Sequence, residues 1–476
     1  TLAKDLISQY HIIKLNGLPY LYDSEEGIYI EGLNSRNIET IIVQNYPTLD
    51  IRHRAEIIED IILLLGKNQE VCDYHYIGFQ NGVLFLDLIE LKPFSPDIII
   101  TSKLTVNYVP HLFDSNYVVD NFFNSICKGD QGIIDLMYRI IGVSCCATNK
   151  FHKTFVFYGN GGNGKGKFFD IIKSIVGEDL YNCVSLKQLT NDRFAPAELF
   201  SKTVNICADD KITSTKIDTE IIKSCLSEDP VNAQIKYGQP FKFKPVATFL
   251  IGTNYTLDLD DTSNAIDRRF VVIPMRAEFQ EDSEEFDVDI GEKLTAPENL
   301  EYIAYKAMLL FSQVMRLGQF PISDVVKNET NKQLLEFNTV KQFLLDNPFR
   351  REKPCELFKK YENYCEQNGL EAVSIKKFGG DMKNIKVNGI TYQKKKLSDP
   401  EDGKYKYYYV SSDYKTNETY NPMISRTNDE LYNDLFVAIT TGSFDYDELE
   451  RLQELISKEM FGKFNFSDIE LDKPNE

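Results

Sequence analysis

The segment Gly159-Asn160-Gly161-Gly162-Asn163-Gly164-Lys165-Gly166-Lys167 constrains this chain more than any other. It follows the apolar run Phe155-Val156-Phe157-Tyr158 and precedes a helical run from Phe168 to Val176. A buried strand, a glycine-rich turn and a helix in that order predict a loop whose backbone N–H groups turn inward on an anion. The helix N-terminus adds its partial positive charge. Lys165 supplies a point charge for the β- and γ-phosphates, so Gly159 to Lys167 is the expected ATP-binding segment. A glycine-rich turn with no ligand is the plain alternative, and the agreement of strand, lysine and helix weighs against it. One position departs from the pattern. The Ser or Thr that normally meets magnesium is Gly166 here, and Lys167 cannot replace its hydroxyl. Mg2+ is then expected to rest on phosphate oxygens, water and a distant carboxylate.

From Lys153 to about Ala277 further short apolar runs follow: Thr203 to Ala208, Thr248 to Gly252 and Phe270 to Ile273. Each adjoins a polar junction, as strands of a parallel sheet do at a functional edge, so the fold class is α/β. The second run ends in Asp209-Asp210. Paired carboxylates there suit metal binding through water by Asp209 and polarisation of the attacking water by Asp210. Asp-Asp also caps many helices. The third run ends in Thr253-Asn254, where an asparagine can orient water or simply make a turn. Arg268-Arg269 precedes the fourth run, as a surface ion pair or as an arginine finger aimed at a neighbouring subunit's nucleotide.

The flanks divide the chain further. Residues 1–150 read as a mixed helix and strand domain. Ser35 to Gly66 has Ala55, Ile57, Ile58, Ile61, Ile62 and Leu65 at helical spacing, and Ile77 to Asp87 reads as two strands about Asn81-Gly82. A helix over Ile133 to Ile141 leads into the second domain, residues 151–330, and a helical connector runs over about 296–332. Residues 336–412 suggest a small unit of three helices and a hairpin, with Pro354 to Asn368 and Ser374 to Ile385 as two of the helices and Tyr392 to Lys396 and Lys404 to Val410 as the hairpin strands. Residues 421–476 carry 13 acidic and 5 basic side chains. There Ser443 caps an expected helix with Leu449, Leu452, Leu455, Ile456 and Met460 on one stripe.

Composition excludes several classes. Asp and Glu total 72 against 53 Lys and Arg, so the chain is not coated with basic charge, although local patches still act within roughly 8 Å at physiological salt. No apolar run approaches the roughly 18 residues of a membrane span, Ile61 to Leu65 being far shorter, and Thr1 to Asp5 form no signal peptide. Nine scattered cysteines with no C-x-x-C pair suggest reduced, mostly buried thiols and a cytoplasmic setting. All five histidines (His11, His53, His75, His111, His152) fall in the first third, which removes histidine-based catalysis from the remainder.

The loop, Asp209-Asp210, Thr253-Asn254 and Arg268-Arg269, in that order and spacing, resemble the superfamily 3 helicases, a branch of the AAA+ ATPases. The nearest subgroup is the helicase part of poxvirus and satellite-phage primase-helicases, and the size and composition are similar to replication initiators of staphylococcal pathogenicity islands. Asn81 to Leu84 and Lys92 to Pro96 are similar to the domain preceding the ATPase in that subgroup. Residues 229–245 match the family's DNA-gripping hairpin region, with Lys236-Tyr237 where papillomavirus helicases carry Lys-His. The resemblance implies an AAA+ P-loop core with a mixed α+β domain before it and a winged-helix-like domain after it. It implies a homo-hexameric ring that hydrolyses ATP with Mg2+ between subunits, Arg269 acting as the finger with Arg268 beside it. No primase motif is present, so priming is expected upstream of Thr1 or in another protein.

The DNA contacts follow from the residues. Lys236, Tyr237, Lys242 and Lys244 put cations and an aromatic into one hairpin, suited to gripping single-stranded DNA. Residues 370–410 hold nine Lys and five acidic residues. Helix, helix and basic ribbon suggest a winged helix whose Lys376, Lys377, Lys383, Lys394, Lys395 and Lys396 meet duplex DNA at a replication origin. A solvated basic face is the alternative. The expectation is a DNA helicase and replication initiator of a mobile element in a bacterial cytoplasm, working with host or element-encoded replication proteins and without a membrane. Its rivals are a nucleotide-gated origin-binding scaffold that does not unwind, and a P-loop kinase or signalling ATPase.

Overall fold

The computed structural model of the 476-residue chain describes residues 2–110, 115–208, 219–227, 229–236, 238–254, 269–279, 287–336, 339–370, 372–387, 389–400 and 404–414. Asp209, Asp210, Tyr237, Arg268 and the expected helix after Ser443 lie outside the described residues. The chain divides into two compact units, one of residues 1–343 and 358–389, the other of residues 344–357 and 390 onward.

The first unit opens with an antiparallel sheet of β1 (Ile13–Leu15), β2 (Leu18–Asp23) and β3 (Ile28–Glu31). Helices Leu2–Gln9, Asn37–Asn45 and Ile51–Leu64 close a small core on Leu6, Ile12, Leu21, Ile38, Ile42 and Ile61. The helical stretch expected over Ser35 to Gly66 is thus two helices. Pro47 disfavours helical geometry at Tyr46, and Asp50 restarts the helix by accepting from the Arg52 and His53 backbone N–H groups at 2.9 and 3.0 Å. Of the expected stripe only Ile61 is fully buried, and Ala55 is exposed. β4 (Tyr76–Phe79) and β5 (Gly82–Phe85) form the hairpin read from Asn81-Gly82, and β6 (Glu90–Lys92) adds a third strand.

The centre of this unit is a five-stranded, wholly parallel sheet. Its strands are β7 (Thr154–Tyr158), β8 (Tyr181–Asn182), β9 (Val204–Cys207), β12 (Thr248–Thr253) and β13 (Phe270–Pro274), in the spatial order β13-β7-β12-β9-β8. In register, Phe155 pairs with Val271 on one side and Leu250 on the other, and Leu250 pairs in turn with Ile206. Alternate side chains sort to two faces. Phe155, Phe157, Leu250, Val271 and Ile273 pack with Phe168, Ile172 and Phe311 from helices Lys165–Val176 and Pro297–Leu317. Val156, Phe249, Ile251 and Val272 pack with Leu186, Leu199 and Val231 on the other face. Covering both faces explains why these strands read as unbroken apolar runs. Each large side chain so buried contributes about 1.5–3 kcal/mol.

Between β9 and β12 stands the expected hairpin, β10 (Val231–Gln234) paired with β11 (Pro240–Phe243). The connector expected over about 296–332 is interrupted. Helix Pro297–Leu317 ends at Gly318, whose left-handed φ of 68° lets its N–H reach Val314 O at 2.9 Å, and helix Asp324–Glu336 follows. Thr330 on that second helix accepts from the Val272 N–H of edge strand β13 at 2.9 Å, which shields part of the open edge.

The elements expected over 336–412 are all present: helices Thr339–Asp346, Pro354–Gln367 and Ile375–Asn384, then β16 (Ile390–Ser398) paired antiparallel with β17 (Tyr405–Ser411). Short strands β14 (Arg351–Glu352) and β15 (Lys386–Val387) were not foreseen. Within the second unit β14 pairs with β17, and Phe349 stacks on Tyr392 at 4.8 Å.

Candidate functional site

The glycine-rich loop leaves the sheet between two neighbours. Gly159 N–H donates to Thr253 O of β12 at 3.3 Å, and Met275 N–H, just past β13, donates to Tyr158 O at 2.7 Å. A Cβ on Gly159 would lie 2.3 Å from Met275 O, so only glycine fits. Gly162 and Gly164 take φ of +70° and +84°, and Gly164 caps helix Lys165–Val176. Left-handed backbone there costs an L-residue energy that glycine avoids. Gly162 O accepts from Phe279 N–H at 2.8 Å, which pins the loop from outside the sheet.

Lys165 begins the helix with only 8% of its surface exposed. Its Nζ donates to Gly159 O, to Asn160 O at 3.4 Å and to Asn254 Oδ1 at 2.7 Å. Asn163, 2% exposed, reaches Met275 O through Nδ2 at 3.4 Å. The turn reading of Asn254 is therefore incomplete, because its side chain meets the loop lysine across 89 residues of sequence. Sheet order explains the meeting. β12 lies beside β7, so the residue that ends it sits next to the loop that follows β7. The partners of this nearly buried ammonium among the described residues include carbonyl and amide oxygens, which phosphate oxygens can replace. At Gly166 a Cβ would meet nothing within 4 Å, so the space a Ser side chain would take is open.

A cavity of about 540 Å³ adjoins the loop, and nothing in the sequence pattern announced it. Gly162 and Gly164 form one side; Asn121, Phe122 and Ser125 of helix Tyr117–Ile126 form another, with Phe279, Asp287, Ile290 and Lys293 completing it. The wall is braced. Lys293 Nζ donates to Asp287 Oδ2 at 2.6 Å, and that hydrogen bond holds the Asp287 carboxyl below its usual range while raising Lys293. Behind it Asp120 accepts from Tyr302 OH at 2.9 Å and Lys306 Nζ at 2.9 Å. Three separate segments, 117–125, 162–167 and 279–293, line this cavity, so no local spacing could reveal it.

The other expected residues fall in separate places. Arg269 stands just before β13, 8% exposed, and its Nη2 donates to Ser227 Oγ at 2.5 Å. Lys236 lies exposed in the β10–β11 turn, and Lys242 and Lys244 are exposed on and after β11. Phe200, Phe241 and Phe243 root that hairpin, with Phe200 5.4 and 5.5 Å from the other two rings. Lys376, Lys377 and Lys383 are exposed on helix Ile375–Asn384, and Lys394, Lys395 and Lys396 on β16. The nine cysteines are unpaired thiols, six of them buried. Among the described residues, no helix is long and apolar enough to cross a membrane.

Residues 157–269 match a family of unknown function, DUF5906. Over 217 residues the chain is 26% identical to "Putative helicase L207/L206" of Acanthamoeba polyphaga mimivirus, an alignment that takes in 44% of this chain. The chain spans 22% of the length of that relative. Among solved structures, the A form apo structure of the NrS-1 C-terminal region superposes with a TM-score of 0.48 at 14% identity, covering 78% of this chain and 83% of that one. A further apo structure of the same region gives 0.46 at 13% identity, with 86% and 98% covered.

Proposed function

We propose that the chain is a nucleotide-hydrolysing, DNA-processing enzyme of the helicase type that acts in replication. One observation carries the reading: Lys165 of the glycine-rich loop and Asn254 from the neighbouring strand meet at 2.7 Å, at the end of a parallel sheet and beside a cavity of nucleotide size. The segment similar to the viral relative named as a helicase supports it. The loop N–H groups and Lys165 bind the phosphates of ATP, and Asn254 orients water near the γ-phosphate. Asp209 and Asp210, directly after β9, are the metal-holding and water-polarising carboxylates. Bound Mg2+ would neutralise charge on the phosphate oxygens. The assembly is a homo-hexameric ring, with Arg269 and Arg268 acting on a neighbour's nucleotide. The trans role rests on the family resemblance alone, and it requires Arg269 to leave Ser227.

The Lys236 hairpin grips single-stranded DNA as the ring translocates, and the Lys376, Lys377 and Lys383 helix meets duplex at the origin. Host or element-encoded replication proteins are the partners, in a bacterial cytoplasm. The test is ATP turnover with and without single-stranded DNA for the parent, Lys165→Ala and Lys236→Ala. DNA should stimulate the parent, the first variant should be inactive, and the second should keep basal turnover without stimulation. Turnover indifferent to DNA in parent and variant alike would favour the scaffold or kinase reading.

A second reading, the nucleotide-gated scaffold, is favoured by Gly166. Without a hydroxyl at the magnesium position, binding without rapid turnover is chemically reasonable. Gly166→Ser fills open space and discriminates: a large gain in turnover marks the parent as a slow, gated binder.

A further inference from the structure

The β16–β17 ribbon carries an exposed face that the lysine pattern alone does not describe. Directly opposed residues share a face and alternate along each strand. The pairings Lys394 with Tyr409, Lys396 with Tyr407 and Ser398 with Tyr405 therefore put two lysines and three tyrosines on one side, Tyr409 buried and the other two tyrosines exposed. Tyr405 is 70% exposed and Tyr407 56%, and Lys394 Nζ stands 5.2 Å from the centre of the Tyr407 ring. On the other side Tyr408 is buried, with the Arg351 guanidinium 3.9 Å from its ring centre. Asp399, the acid at the end of the ribbon, is buried and answered by Lys406 at 2.6 Å and Lys353 at 3.5 Å. Its charge is thus neutralised within the unit, and among the described residues the charged side chains on the tyrosine face are lysines, in a chain of net charge −19.

We propose that this face binds single-stranded nucleic acid, stacking unpaired bases on Tyr405 and Tyr407 while Lys394 and Lys396 meet the phosphates. Strand geometry favours single strands over duplex. Residues two apart on a strand are about 6.8 Å apart. That is about twice the ~3.4 Å rise of stacked bases, so the two rings suit bases drawn apart rather than a closed helix. Aromatic platforms flanked by cations take any base, because every base offers a ring face. The duplex-binding wing expected for Lys394 to Lys396 is replaced in this account. The inference rests on the DNA-processing reading for its purpose, but binding needs no nucleotide, so the two fail separately.

The test is fluorescence anisotropy on the full chain without nucleotide, using a labelled oligo-dT strand, an abasic strand of equal length and a duplex. Tyr405→Ala with Tyr407→Ala should weaken oligo-dT binding about tenfold or more and leave abasic binding unchanged, and the paired Tyr→Phe variant should bind as the parent does. Unchanged oligo-dT binding, or an equal loss on the abasic strand, overturns the proposal. Should the alanine pair fail to fold, photo-crosslinking of a 4-thiothymidine strand to the parent chain decides. Adducts at Tyr405 or Tyr407 are expected, and adducts confined to other residues overturn it.

Discussion

The end of the parallel sheet and the lysine ribbon present cations in opposite ways. At the sheet, Lys165 is nearly buried, its ammonium fixed by the loop and by Asn254, and its helix rests on Phe168 and Phe169, which are almost fully enclosed. On the ribbon, Lys394 and Lys396 stand in solvent beside the exposed Tyr405 and Tyr407, and the buried Tyr409 lies opposite Lys394. A fixed cation suits one ligand geometry and depends on the fold around it. A displayed cation suits a polymer with many registers and is energetically separate from folding. Substitutions should therefore lower stability and activity together at the sheet, and change binding alone on the ribbon.

The sharpest break of that contrast is Phe168→Ala. Its ring packs 5.1 Å from Phe157 and is fully buried, so the loss is expected to be about 3–5 kcal/mol, read as a large fall in melting temperature. A small fall would mean that the loop does not depend on the core beneath it. Next comes Gly164→Ala. With φ at +84° and an added Cβ 2.6 Å from Ile126 Cγ2, it should cost about 1–3 kcal/mol and weaken ATP binding together. Retained stability with lost ATP binding would separate the two properties the account joins. On the ribbon, Lys394→Ala with Lys396→Ala should leave the melting temperature unchanged and reduce the slope of log affinity against log salt by about 2. A destabilised variant would place the ribbon in the same class as the sheet.

The smallest effect concerns the cavity wall. Asp287 is held below its usual value by Lys293, so the pair contributes fully above the ordinary carboxylate range. The contribution is lost as pH falls through the lowered value. In the parent, unfolding monitored from pH 7 down to pH 3 should therefore show a small acid-side loss that Asp287→Asn lacks. Identical pH profiles would remove the pair from the wall's support.

Much of this architecture was legible because function and burial leave different marks. Continuous apolar runs gave four of the five parallel strands to within a residue or two. The glycine spacing gave the loop, and turn residues gave the hairpins. β8 has only two residues and no pattern to read, and the order of strands in space is a property of tertiary packing. Asn254 was assigned near the γ-phosphate, yet its bond to Lys165 depends on β12 lying beside β7, which no spacing encodes. The cavity combines segments around 121 and 290 for the same reason. Pro47 could have divided the 35–66 helix had it outweighed the stripe of isoleucines. Tyr405 and Tyr407 alternate along β17, but their exposure depends on which face of the ribbon is covered, which lysine spacing does not encode.

The most direct test of the central claim is displacement of a labelled strand from a forked duplex by the parent chain, with ATP, with a non-hydrolysable analogue, and by Lys165→Ala. The account predicts displacement by the parent with ATP alone, and none by the variant. Absence of displacement in the presence of rapid ATP turnover, or equal displacement by Lys165→Ala, would contradict it.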